Sequence, residues 1–256
     1  MSRPFPYRLA VLAGVGMILL VVPLLGLMLR TPWTELLGDV GDAGTALRVS
    51  AVVSVVATLL AVALGIPLGW VLARAAFRGR GVLRAIVLLP IVLPPVVSGV
   101  ALLASLGRSG AVGSALDDLF GITLPFTTAG AVVAATFVAT PFVSLVSEAG
   151  FRSIDPGLED VAATLGAGPW RRFRRVVLPQ AAPALAAGIV LGWARALGEF
   201  GATITFAGNL PGRTQTLPLA IFFELEQDPE AAFSLSLVLV VVSIVVLTAA
   251  RRSWMR

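Results

Sequence analysis

The sequence predicts an all-α fold: a polytopic membrane bundle of six transmembrane helices with cytoplasmic N- and C-termini. Three observations carry this reading. The 256-residue chain is 57% hydrophobic and 13% charged, with a mean hydropathy of +0.95, whereas an average soluble domain carries about 25% charged residues. The apolar residues fall into charge-free runs long enough to cross a bilayer. The arginines collect in alternate connections between those runs. The same composition excludes disorder, which needs low hydrophobicity and high charge.

A helix of about 20 apolar residues spans the roughly 30 Å hydrocarbon layer. The first run is residues 9–29, between Arg8 and Arg30. A signal peptide is set aside there, because such segments carry an apolar stretch of only about 7–15 residues and Met28-Leu29-Arg30-Thr31 is a poor cleavage site. The second run is 49–73 and the third 85–107. The fourth is placed at 127–147, the fifth from about Pro183, and the sixth at 231–250, closed by Arg251 and Arg252.

Orientation follows from arginine placement, because cytoplasmic loops carry the excess of basic residues. With the N-terminus inside, Arg3, Arg8, Arg74, Arg78, Arg80, Arg84, Arg152, Arg171, Arg172, Arg174, Arg175, Arg251, Arg252 and Arg256 face inward. Only Arg30, Arg48, Arg108 and Arg213 face outward, and Arg195 lies within a span. The outer loops instead hold Glu35, Asp39, Asp42, Asp117, Asp118, Glu224, Glu226, Asp228 and Glu230. The net charge of +5 is therefore a topology signal, and nucleic acid is not an expected partner.

The chain has no cysteine, no histidine and no lysine; all 19 basic residues are arginine. Disulfides, thiolate chemistry and His/Cys metal sites are excluded, and no metal site is assigned. A Walker A phosphate loop needs its lysine, so the chain cannot power itself by that route. No acid–base constellation of an enzyme is present, and no catalytic residue is assigned.

Within the spans, Pro90, Pro94 and Pro95 interrupt the third. Each proline removes a helix hydrogen bond, so this is either a broken helix beside a pathway or a kinked one in a packed bundle. Gly65/Gly69 and Gly188/Gly192 set small residues one turn apart, which favours close helix packing. The packing is read as internal, with a homodimer seam as the other option. Arg195 and Glu199 are the two charges read as lying well inside a span, each costing about 2.5–3.5 kcal/mol at mid-membrane on insertion scales. Four residues apart, they share a helix face and can pair.

The connection before the fifth span is charged and helix-like. Asp155 suits an N-cap and Pro156 a first helical position. Gly166 and Gly168 interrupt the helix, and a second short one carries four arginines, with Trp170 and Phe173 on one face. Such an element fits a groove on a partner protein, or lies on an anionic lipid surface.

Here the sequence resembles the EAA loop of ABC importer permeases: Glu-Ala-Ala, three residues, Gly, nine residues, Ile-x-Leu-Pro. Asp160-Val161-Ala162, Gly166 and Val176-Val177-Leu178-Pro179 fit that spacing. The departures are Asp for Glu, Val for Ala and Val for Ile, which leaves the charged contact to Asp160 or to the adjacent Glu159. The resemblance implies one permease domain over 1–256, with a cytoplasmic coupling loop at about 152–179 docking on a separate ATP-hydrolysing subunit. Asp160 would make the charged contact and Gly166 the turn. Trp170 and Phe173 are candidate anchors from their own spacing.

Further on, the Gly-Glu-Phe-Gly-Ala piece at 198–202 is common to molybdate and sulfate permeases, whereas the run from Gly208 and Asn209 through Pro211, Gly212, Thr214, Gln215 and Thr216 to Pro218 and Leu219 is closer to the molybdate type. What this resemblance implies is a non-catalytic inner-membrane subunit importing molybdate, with tungstate as the further candidate cargo. Two copies would line one pathway, two ATPase subunits would use ATP and magnesium, and an extracytoplasmic oxyanion-binding protein would deliver the substrate. The chain itself would hold no cofactor. Pro94, Pro95, Arg195 and Glu199 are the pathway or gate candidates. A carboxylate repels an oxyanion, so Glu199 is expected to position helices or gate rather than ligate. Asn209, Arg213, Thr214, Gln215 and Thr216 are the outer-loop candidates: the last four can donate hydrogen bonds to an oxyanion or to a docked binding protein, or the segment is an ordinary outer turn. A sulfate or thiosulfate permease of the same class is the alternative, followed by an ion-coupled secondary carrier.

Overall fold

The computed structural model describes residues 7–254, so Arg3 and Arg256, counted above as inward-facing, lie outside the described residues. Among the described residues the chain is helical throughout, without strands. The order is α1 (Tyr7–Arg30), α2 (Leu36–Asp42), α3 (Gly44–Arg74), α4 (Arg80–Val92), α5 (Pro95–Leu106), α6 (Ala111–Phe120), α7 (Thr128–Arg152), α8 (Pro156–Thr164), α9 (Pro169–Arg172), a π-helical turn (Phe173–Val177), α10 (Leu178–Leu197), α11 (Gly201–Ala207), α12 (Leu217–Gln227) and α13 (Pro229–Trp254).

Five helical runs are long and apolar enough to cross a membrane, and α4 with α5 supplies a sixth if that pair counts as one span. The pair is bent by 118° at Leu93–Pro94, so the proline run breaks the helix rather than kinking it. No residue of α1 is buried, although the helix is apolar along its length. An apolar surface of that extent is stable only in lipid or against another chain.

α3, α7 and α10 form the centre. A Cβ on Gly65 would lie 2.9 Å from Val143 Cβ and one on Gly69 2.6 Å from Ser147 Cβ, so α3 and α7 run parallel in contact. Gly150 meets Ala184, and Gly192 meets Val143, so α10 runs antiparallel to α7. Both small-residue pairs read from the sequence thus serve packing within the chain. Ala57, Ala61, Ala131, Ala135 and Ala139 fill the seam between α3 and α7, where close backbone approach replaces the hydrophobic drive that lipid cannot supply.

Thr127 caps α7, accepting from Gly130 N at 3.0 Å, which matches the expected start of the fourth span. The end differs: the helix continues past 147 to Arg152 and carries Glu148 with it. The helix that carries the fifth span starts ahead of Pro183: it runs from Pro169 through the π-helical turn to Leu197. Pro179 lies inside this run, just after the π-helical turn, and there it removes one helix hydrogen bond.

Candidate functional site

The elbow between the fourth and fifth spans is built by local rules. Asp155 caps α8, accepting from Gly157 N at 2.9 Å, with Pro156 at the first helical position. α8 ends in a glycine cap: Gly166 N donates to Ala163 O and Ala167 N to Ala162 O. Gly166 adopts φ +77°, a left-handed conformation that glycine reaches without steric cost. The turn expected at Gly166 is therefore present, between α8 and α9.

The two acidic neighbours on α8 separate. Glu159 pairs with Arg74 at 3.1 Å and so ties α8 to the end of α3. Asp160 is exposed and makes no salt bridge among the described residues. The two aromatic candidates separate as well. Trp170 is 71% exposed and stacks on Phe173, whose ring is 5.0 Å from Trp70 and 6.2 Å from Phe151. Phe173 thus belongs to an aromatic cluster joining elbow, α3 and α7, and Trp170 is the ring left at the surface. Ala162 is half-buried on α8.

From this cluster the 29-residue run Pro169–Leu197 leads to the far part of the bundle, a length of about 40 Å at 1.5 Å per residue. It stops at Gly198–Phe200, where Arg195 and Glu199 meet. Arg195 Nη2 lies 2.5 Å from Glu199 Oε2, an ion contact without the alignment of a hydrogen bond, since that oxygen has no hydrogen-bond partner. Glu199 Oε1 accepts from Ala202 N at 2.8 Å. The carboxylate is 2% exposed and lies at the N-terminal end of α11, where negative charge is favoured by the free amides. It therefore joins α10 to α11 across the break, in agreement with the expected pairing.

α11 in turn packs on α5. A Cβ on Gly201 would lie 2.5 Å from Pro95 Cβ, and one on Gly99 2.5 Å from Thr205 Cβ. The break at Pro94–Pro95 and the break at Glu199 are consequently adjacent, and all four pathway candidates occupy one junction.

The outer-loop candidates divide by burial. Thr214 and Thr216 are buried. Thr214 Oγ1 accepts from Leu210 N at 2.9 Å and donates to Gly208 O at 3.2 Å, stitching the loop internally. The loop is held to α7 by Thr128 Oγ1 donating to Arg213 O at 2.8 Å, and to α3 by Leu217 N donating to Ser50 Oγ at 2.6 Å. The Arg213 side chain is exposed, Asn209 is half-buried, and Gln215 lines a hollow with Asp39, Glu224 and Asp228.

Sequence reasoning missed Glu148. It is 2% exposed and pairs with both Arg84 and Arg152, the latter at 2.8 Å. Arg152 at i+4 was the available signal; Arg84, 64 positions away, gave none.

Residues 65–253 match the family model described as "Binding-protein-dependent transport system inner membrane component". The molybdenum transport system permease protein ModB of Mycobacterium tuberculosis is 45% identical over 238 residues, covering 91% of this chain and 89% of that protein. The protein of the same name from Escherichia coli K12 is 47% identical over 153 residues, or 60% of this chain and 67% of its own length. Among solved structures, a chain of a bacterial alginate ABC transporter, crystallised with its alginate pentasaccharide-bound periplasmic protein, superposes with a TM-score of 0.79 at 20% identity. It covers 97% of this chain and 95% of its own. A chain of the MetNI methionine ABC transporter in an inward-facing conformation gives 0.65 at 19% identity, covering 81% and 92%. At these identities the structures speak to the fold alone.

Proposed function

The chain belongs to the family of binding-protein-dependent transport system inner membrane components, and on that premise we propose that it is the permease subunit of an ATP-driven molybdate importer. The substrate reading is supported by the near full-length similarity to molybdenum transport permeases. In this reading both termini and the elbow face the cytoplasm, where the arginines collect. Two copies line one pathway, a separate pair of ATPase subunits binds ATP and magnesium, and an extracytoplasmic protein delivers the oxyanion.

The observation that carries the mechanism is the single helical run from Pro169 to Leu197. Its elbow end presents Trp170 outward, follows α8, which exposes Asp160, and is anchored through Phe173 to Trp70 and Phe151. Its other end carries Arg195 beside the Glu199 break and the α5–α11 junction. A push on the elbow by an ATPase subunit is delivered along this rod to two helix breaks that lie in contact. Glu199 is paired and capped, so it holds the junction together and does not ligate an anion.

The test is uptake by proteoliposomes containing the permease, its ATPase and the binding protein. Uptake of molybdate requires ATP, tungstate competes, and sulfate does not. Uptake persisting without the ATPase in an ion gradient overturns the reading in favour of a secondary carrier. Sulfate or thiosulfate replacing molybdate reassigns the substrate.

A further inference from the structure

A second feature of the arginine-rich end is not used by this mechanism. Arg80, Gly81, Arg84 and Arg152, with Ala73, line a polar hollow of about 600 Å³ where α3 and α7 end and α4 begins. Glu148 lies beside it, holding Arg84 and Arg152. The hollow thus gathers three arginines with one carboxylate beside it, and Arg80 makes no hydrogen bond or ion pair through its side chain among the described residues. Arg84 and Arg152 keep 40% and 43% of their side-chain surface exposed although both are paired, so each retains donors that point away from the carboxylate. The surplus of positive charge needs an anion, and guanidiniums suit phosphate geometry.

The neighbouring surface narrows the choice of anion. Arg80, Arg84, Val87 and Pro90 follow one another at helical spacing along one stripe of α4. Val87 and Pro90 line an apolar groove of about 470 Å³ with Ile86, Leu64 and Leu68. The charged hollow, lined by Arg84, and the apolar groove, lined by Val87 one turn further on, are therefore neighbours along the same helix. A small free oxyanion would use only the first. An amphiphile would use both. Topology requires arginines at this end of the bundle, but it does not require three of them to converge on one hollow beside an apolar groove.

We propose that this surface binds an anionic phospholipid, with its phosphate among Arg80, Arg84 and Arg152 and an acyl chain lying along Val87 and Pro90. The proposal concerns a membrane-embedded surface and stands whatever the transported substrate is. It is tested with the purified full-length protein in nanodiscs of phosphatidylglycerol or of phosphatidylcholine, followed by native mass spectrometry. The protein retains phosphatidylglycerol and not phosphatidylcholine. Arg80→Gln, which breaks no observed contact, lowers retention about fivefold, the effect of one basic residue near an anionic headgroup. Arg80→Lys keeps it. Equal retention of both lipids, or undiminished retention in Arg80→Gln, overturns the proposal. So does inorganic phosphate displacing phosphatidylglycerol in an Arg80-dependent way, which would make the hollow a free-oxyanion site. A second copy of the chain filling the groove with no lipid retained overturns it as well.

Discussion

Pro95 and Gly201 touch where two interrupted helices cross: the space a side chain would need at Gly201 is already occupied by the proline ring, at 2.5 Å. Neither break is isolated. α5 starts at its proline, α11 starts at its glycine, and Glu199 fixes the second start through the Ala202 amide. Movement of α10 therefore cannot reach α11 without also moving α5.

The first prediction concerns that contact. Gly201→Ala forces the two helix starts apart and lowers stability by about 1–3 kcal/mol, the usual cost of overpacking. Molybdate uptake falls with it. Pro95→Gly in the same chain removes the opposing Cβ and restores part of both. Thermal unfolding in detergent and uptake in proteoliposomes measure the cycle. Equal losses with and without Pro95 would show that the contact does not matter.

Glu199 supplies the second. Glu199→Gln keeps an acceptor for Ala202 N but leaves Arg195, 27% exposed, without its counter-charge. Glu199→Ala loses both. Removing one partner of a buried pair costs about 3–5 kcal/mol, so the alanine variant is the less stable, and Arg195→Gln partly rescues the glutamine variant. A Glu199→Gln protein that folds, couples to ATP hydrolysis and transports at the parent rate defeats the positioning role.

Asp160 and Glu159 give a third, because the structure treats the two acids differently. Asp160→Ala abolishes stimulation of the partner ATPase by the substrate-loaded binding protein and leaves the unfolding temperature unchanged. Glu159→Gln removes a partly exposed pair with Arg74, worth about 0–1 kcal/mol, and keeps the stimulation. ATPase assays of the reconstituted complex decide; the reverse pattern would assign the coupling contact to Glu159.

What the sequence made legible follows from the range of the forces involved. Spans, caps and the Arg195–Glu199 pair depend on residues within a few positions of each other, and hydropathy, helix periodicity and cap chemistry read such distances directly. An interruption at Pro90, Pro94 and Pro95 was legible because proline acts on its own backbone, whereas the choice between a kink and a break was decided by the 118° bend. Phe173 was not: its ring is held by Trp70, a hundred positions earlier, so a residue that reads as a surface anchor is part of an internal cluster. The early start of the helix that carries the fifth span was hidden by Arg171, Arg172, Arg174 and Arg175, which read as a connection although the backbone stays helical beneath them. Glu148 stood one residue beyond the drawn end of the fourth span, with one partner on another helix.

That residue carries the last prediction. Glu148 neutralises two arginines from two helices at the point where α3, α4 and α7 converge, and it is the acidic group beside the Arg80 hollow. Glu148→Ala leaves both guanidiniums facing each other and costs about 3 kcal/mol, the low end for a broken buried pair, because the arginines themselves are nearly half exposed. Glu148→Gln costs less, since its amide oxygen still accepts. Charge moves the other way for lipid: with the carboxylate gone, the hollow becomes more positive, so phosphatidylglycerol retention rises in Glu148→Gln while its unfolding temperature falls. A purely structural ion cluster would lower both together. Opposite signs for the two measurements on one variant identify Glu148 as the group that sets the charge of the hollow.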